Sequence, residues 1–101
     1  MDPRDVLADS KILADFCRSH RIVELRAFGS VLRKDFNKRS DVDLLYVADG
    51  WGLGDLVEAR RDLVDLFQRD VDLVSLRAVE LSENPYRKRL ILDGAKVVYV
   101  A

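Results

Sequence analysis

The sequence predicts an α/β domain with helices packed on a small sheet. Three observations predict it. Apolar residues at helical spacing alternate along the chain with short apolar, β-branched runs. Gly and Pro punctuate these segments where helices start and strands end. No repeat, low-complexity tract or Pro/Gly/Ser linker divides the 101 residues, so residues 1–101 are read as one domain. Counting one short helical turn after Gly29, the order is α-β-α-β-α-β-α-β.

Asp2 followed by Pro3 signals a helix N-cap and first helical position, and Val6, Leu7, Leu13, Phe16 and Cys17 supply an imperfect helical stripe to about His20. "IVELRAF" alternates Ile22, Glu24, Arg26 and Phe28 against Val23, Leu25 and Ala27, a strand ending at Gly29. "DVDLLYVA" is the second strand. The glycines of "DGWGLG" mark a loop, after which Leu53, Leu56, Val57, Leu63, Val64 and Phe67 recur at helical spacing. "VDLVSL", residues 71 to 76, is a third strand. A helix starts near Asn84-Pro85 and stops near Gly94, and "KVVYV" closes the chain as an edge strand.

Composition excludes several function classes. A chain of this length can bury roughly 60 to 70% of its unfolded surface, enough for one core and one site. The apolar fraction of 49% is too high for a disordered chain. Seventeen basic residues against eighteen acidic ones give a net charge of -1, which lacks the footprint of a non-specific nucleic-acid binder, so any polyanion must be met locally. Cys17 has no intrachain partner, as suits a reducing compartment. "MDPRDVLADS" lacks the apolar core of a signal peptide, and no run is long enough to span a bilayer, so a cytoplasmic location is expected.

The chemistry concentrates in "AFGSVLRKDFNKRSDVDLLYV", residues 27 to 47. Side chains two apart on a strand share a face, so Asp41 and Asp43 are neighbours while Val42 and Leu44 point the other way. Two carboxylates so placed repel and raise each other's pKa unless a cation lies between them. A divalent metal resolves the conflict, and hard oxygen ligands suit magnesium, which completes its octahedron with water and substrate phosphate. A bare Asp-x-Asp is also the normal wet face of an amphipathic strand. Its company strengthens the metal reading. Gly29-Ser30 sits at a strand end before a helical turn, where backbone N–H groups attract phosphate. Asp72 opens the third strand and completes a three-carboxylate cluster if that strand lies beside the second.

The stretch "GSVLRKDFNKRSDVDLL" resembles the signature of nucleotidyltransferases of the DNA polymerase β superfamily: Gly29-Ser30, ten residues, then Asp41-Val42-Asp43. Over nearly its whole length the chain resembles a minimal nucleotidyltransferase of the MNT antitoxin type, which pairs with a HEPN-domain RNase toxin. It departs from the common pattern at Lys34, where many relatives have glycine, and at Arg39, where many have proline. The resemblance implies a polymerase β-like fold with a small mixed sheet. It also implies that Asp41, Asp43 and Asp72 are catalytic metal ligands and that Gly29, Ser30 and Arg33 bind the nucleotide. Two Mg2+ ions would clamp the attacking and leaving oxygens, with Asp72 accepting the hydroxyl proton.

The acceptor is implied by resemblance alone. The chain has no room for the extra domains that build nucleic-acid or antibiotic acceptor sites in larger relatives. The expected reaction is transfer of AMP from ATP to a tyrosine hydroxyl of a HEPN toxin, in a hetero-oligomer, with neither membrane nor direct nucleic-acid contact. The alternative is a non-catalytic nucleotide-binding module that inhibits its partner by complex formation; a third reading is a structural domain with acidic surface positions. His20, the sole histidine, reads as a helix C-terminal cation, and Cys17 as core. Trp51 reads as an aromatic packing its loop down, with base stacking or partner contact as the other use. "YRKR", residues 86 to 89, reads as a solvated helix face, with partner or phosphate contact as the other use, and Tyr46 and Tyr99 read as strand packing.

Overall fold

A computed structural model describes residues 2–101 of the chain. The first helical stretch is two helices, α1 (Pro3–Ala8) and α2 (Ser10–Ser19). The single helix expected to about His20 breaks at Asp9, whose backbone is extended. Its carboxylate accepts hydrogen bonds from the N–H groups of Lys11 and Ile12, both at 3.1 Å, so one residue both ends α1 and caps α2. Asp2 caps α1 in the same way, accepting from the Arg4 N–H at 2.8 Å.

β1 (Ile22–Phe28) leads through Gly29–Leu32, a single 3-10 turn, and a loop into β2 (Val42–Ala48). β2 starts one residue later than the sequence pattern indicates and leaves Asp41 at its threshold. α3 (Leu53–Phe67) and β3 (Val71–Ser75) follow. Where an extended run to Leu76 was expected, the Ser75 hydroxyl accepts from the Ala78 N–H and caps a short helix, α4 (Leu76–Glu80). α5 (Pro85–Leu92) and β4 (Lys96–Val100) complete the chain as anticipated, with Asn84 capping α5.

The sheet is mixed, in the order β3-β2-β1-β4. β1 runs antiparallel to both neighbours, and β2 and β3 are parallel, joined through α3. β4 is an edge strand, as expected. One face carries the main core: Val6 from α1, Leu13 and Cys17 from α2, and Leu63 and Phe67 from α3 pack with Leu25, Ala27, Val42, Leu44 and Val71 of the sheet. The opposite face carries a thinner cluster of Leu45, Leu76 and Val79, with Phe28, Val47, Val74, Ile91 and Leu92 against it.

Two departures from the expected apolar pattern have local causes. Ile22 packs with Leu25 and Ala27 although strict alternation would place it with Glu24; a register shift between Ile22 and Glu24 turns it to the main core. In α3 the buried positions are Ala59, Leu63 and Phe67, whereas Leu53 and Val57, expected on the apolar stripe, are 83% and 56% exposed. They belong to the first two turns, ahead of the stretch in which burial begins at Ala59.

Several minor residues take the structural roles read from the sequence. Cys17 is fully buried, and burial pushes its thiol pKa up to about 12. His20 caps α2, tilts against Phe16 and lies 2.8 Å from the Asp62 carboxylate. Trp51 holds its loop down by donating to the His20 carbonyl at 2.6 Å and packing on Tyr46. Tyr99 packs against the main core. α5 has no buried residue, and "YRKR" lies along it with Tyr86 76% exposed.

Candidate active site

The parallel pairing of β2 with β3 determines where the acidic residues meet. Its register sets Val42 opposite Val71, Asp43 opposite Asp72 and Leu44 opposite Leu73. Val42, Leu44 and Val71 face the main core, so the intervening carboxylates must emerge on the other face, the one that carries Leu45 and Val74 two residues further along. The register is tied at its start by the Val42 N–H, which donates to the Asp70 carbonyl at 3.0 Å. Asp72, which the sequence could place here only if the third strand lay beside the second, is therefore the direct cross-strand neighbour of Asp43.

Gly29 is brought in from β1. Phe28 is the antiparallel partner of Asp43, so the next residue turns across the Asp43 side chain. Gly29 has φ +74, and a Cβ there would lie 2.5 Å from Asp43 Oδ2. Both facts require glycine: the left-handed backbone disfavours any side chain, and the carboxylate occupies the space one would need. The Ser30 hydroxyl donates to the Asp41 carbonyl at 3.3 Å, joining the Gly-Ser turn to the threshold of β2.

The site's electrostatics are one-sided. Among the described residues, none of Asp41, Asp43 and Asp72 forms an ion pair with a basic side chain. The Asp43 pKa is raised, first by desolvation in its half-buried position and then by the charges of Asp72 and Asp41, with Arg33 opposing the shift. Arg33 is exposed and its side chain bonds Asp35 at 3.2 Å, so it stands near the acidic cluster without neutralising it. No three His, Cys, Asp or Glu side chains among the described residues are gathered closely enough to chelate one ion as they stand. The donor chemistry nevertheless fits a hard divalent cation: carboxylate oxygens on adjacent strands, an elevated Asp43 pKa and no competing cationic partner.

Three residues that the sequence reading overlooked surround the loop to Asp41. Phe36 lies under the guanidinium groups of Arg4 and Arg69, 5.1 and 4.7 Å from its ring centre. The available signal was an aromatic isolated in the polar run "RKDFNKRS"; its two partners, distant in sequence, carry no local signature.

Two outcomes follow from this geometry. Gly29→Ala should destabilise the fold by about 1–2 kcal/mol from the backbone alone and displace the Asp43 carboxylate; chemical denaturation reads the first, and an unchanged midpoint would contradict it. Asp43→Asn should stabilise the metal-free protein at neutral pH. Because the folded pKa lies above the unfolded one, the ionised Asp43 costs stability as pH rises through the ordinary carboxylate range towards the folded pKa, and the cost persists above it. The variant's gain in Tm should therefore vanish below that range, and a gain independent of pH would exclude the Asp43 charge as its cause.

Comparison with known proteins agrees with this architecture. The model of the nucleotidyltransferase domain family matches residues 9–98. A solved structure described as a minimal nucleotidyltransferase is 32% identical, covers 95% of this chain and 95% of its own, and superposes with a TM-score of 0.73. At 20% identity, a toxin-antitoxin structure with AMP-PNP has a TM-score of 0.70 over 92% of this chain and 74% of its own. A Shewanella oneidensis complex of a tri-AMPylated HEPN toxin with an MNT antitoxin, also 20% identical, has a TM-score of 0.61 over 91% of this chain and 70% of its own. These last two share the fold. No curated protein matches the sequence. With the family model spanning nearly the whole chain and the fold shared end to end with a minimal relative, the chain belongs to the nucleotidyltransferase domain family.

Proposed function

We propose that this nucleotidyltransferase is an antitoxin that transfers AMP from ATP to a tyrosine hydroxyl of a HEPN-domain RNase toxin and thereby silences it. The observation that carries the reading is the convergence of Asp43, Asp72 and Gly29, two carboxylates in parallel register beside a glycine with no room for a side chain. The antitoxin role and the acceptor rest on likeness to the MNT antitoxin complexes, one of which contains an AMPylated toxin.

In the proposed reaction the acceptor oxygen attacks the α-phosphorus, a new P–O bond forms, and the bond to the departing pyrophosphate breaks. Asp41, Asp43 and Asp72 would hold two Mg2+ ions, which supply the positive charge that steadies the attacking and leaving oxygens. Asp72, at the exposed mouth of β3, accepts the proton of the acceptor hydroxyl. Gly29 and Ser30 present the turn to the nucleotide's phosphates, with glycine permitting close approach of the backbone. Arg33, free to exchange its exposed Asp35 partner for a phosphate, adds the cation on the nucleotide side.

The second reading, inhibition by complex formation without transfer, is favoured by the solved toxin-antitoxin complexes that share this fold. Incubating the protein with its toxin, Mg2+ and α-labelled ATP separates the two. Transfer predicts label on the toxin, lost with Asp43→Ala and with Tyr→Phe at the modified toxin position. A toxin silenced without label, equally by Asp43→Ala and by the unaltered protein, would refute the enzymatic reading.

A further inference from the structure

The loop between the Gly-Ser turn and Asp41 contains four cations, Arg33, Lys34, Lys38 and Arg39, against one carboxylate, Asp35. Such a segment repels itself and forms no strand or helix between residues 33 and 41. Yet it must deliver Asp41 to the threshold of β2. Its own hydrogen bonds make a small turn centred on Asn37: the Ser40 N–H donates to the Asn37 carbonyl at 3.0 Å, and the Arg39 N–H donates to the Asn37 side chain at 2.8 Å.

Two arginines from outside the loop hold that turn in place. Arg4 of α1 donates to the carbonyls of Val31 and Arg33, at 3.3 and 2.6 Å. Arg69, between α3 and β3, donates from one guanidinium nitrogen to the carbonyls of Asn37 and Ser40, at 2.9 and 3.0 Å. Both guanidinium groups lie over the Phe36 ring, an attraction that strengthens as the cation is desolvated. Arg69 Nε is buried without a hydrogen-bond partner among the described residues. Leaving a buried donor unmade is costly, and here the cost is borne at a residue whose other nitrogen holds the carbonyl immediately before Asp41.

We infer that Arg69, acting with Phe36 and Arg4, is a positioning residue that sets Asp41 against Asp43 and Asp72 for metal binding. Arg69 suits the task by location as well as by geometry: it lies three residues before Asp72, and the neighbouring Asp70 carbonyl accepts the first hydrogen bond of β2. A single guanidinium therefore spans the two chain segments that enter the parallel pair. Arg69 and Arg4 hold the segment through its carbonyls and the Phe36 ring rather than through charge, since both add to its positive excess.

The inference rests on the metal reading of the site, and its test keeps the two apart. Amide hydrogen exchange in the metal-free protein reads the clamp, and Mn2+ affinity reads its consequence. Arg69→Gln should lose protection at the Ser40 amide and weaken Mn2+ binding ~10-fold, the scale on which outer-shell partners act on metal sites, with millimolar methylguanidinium restoring part of the affinity of Arg69→Ala. Phe36→Leu, which keeps an apolar side chain in the loop, should shift both readouts in the same direction by a smaller factor. A folded Arg69→Gln that retains Ser40 protection and Mn2+ affinity would overturn the clamp; should that variant not fold, Phe36→Leu with both readouts unchanged would overturn it. Failure of the unaltered protein to bind Mn2+ would instead refute the metal reading, with the exchange comparison alone then deciding whether the clamp exists.

Discussion

Parallel pairing of β2 with β3 holds Asp43 beside Asp72, and the site depends on this contact between like charges. The sheet can sustain it because the alternate residues are core. Burying Val42, Leu44 and Val71 contributes about 1.5–3 kcal/mol each. The repulsion between Asp43 and the exposed Asp72 is screened by solvent and is the smaller effect. Burial wins, and a one-residue slip of either strand that relieved the repulsion would turn that strand's core side chains, Val42 and Leu44 or Val71, into solvent. Desolvation first, and then repulsion from Asp72 and Asp41, raises the pKa of Asp43. That repulsion is also what a divalent cation would release, so a feature that destabilises the metal-free chain is one that would favour binding.

The rest of the architecture positions this pair. The antiparallel partner of Asp43 is Phe28, so β1 ends where a glycine can pass over the carboxylate. The helices divide unequally: α1, α2 and α3 supply the main core, while only α4 and α5 cover the carboxylate face, through a cluster with three fully packed members. That cover lies over Leu45 and Val74, further along the strands than Asp43 and Asp72. The thin layer leaves Asp41 and Asp72 exposed at the strand entrances.

Much of this was legible in the sequence because it follows from local periodicity. All four strands, the 3-10 turn after Gly29, α3 and α5 are written in apolar spacing and in Gly and Pro. The Asp41-Asp43 pair was legible for the same reason, and Gly29 and Asp72 stood out by their places at strand ends. What was not legible depends on contacts that apolar spacing does not encode. Asp9 breaks the first helix because its side chain finds the next helix's N–H groups, a choice that the apolar stripe does not record. Leu53 and Val57 have helical spacing but stay exposed, since burial along α3 begins only at Ala59, where the helix meets the rest of the fold. Arg4, Phe36 and Arg69 come from three distant segments and meet only in the folded chain.

The central claim is that Asp41, Asp43, Asp72 and the Gly29-Ser30 turn form one metal and nucleotide site. Paramagnetic broadening of backbone amide signals by Mn2+, with a non-hydrolysable ATP analogue present, tests it most directly. Selective broadening at residues 29–30, 41–43 and 71–73, abolished by Asp43→Ala, is the result expected. Broadening centred on another cluster, or none in the presence of bound nucleotide, would contradict the assignment.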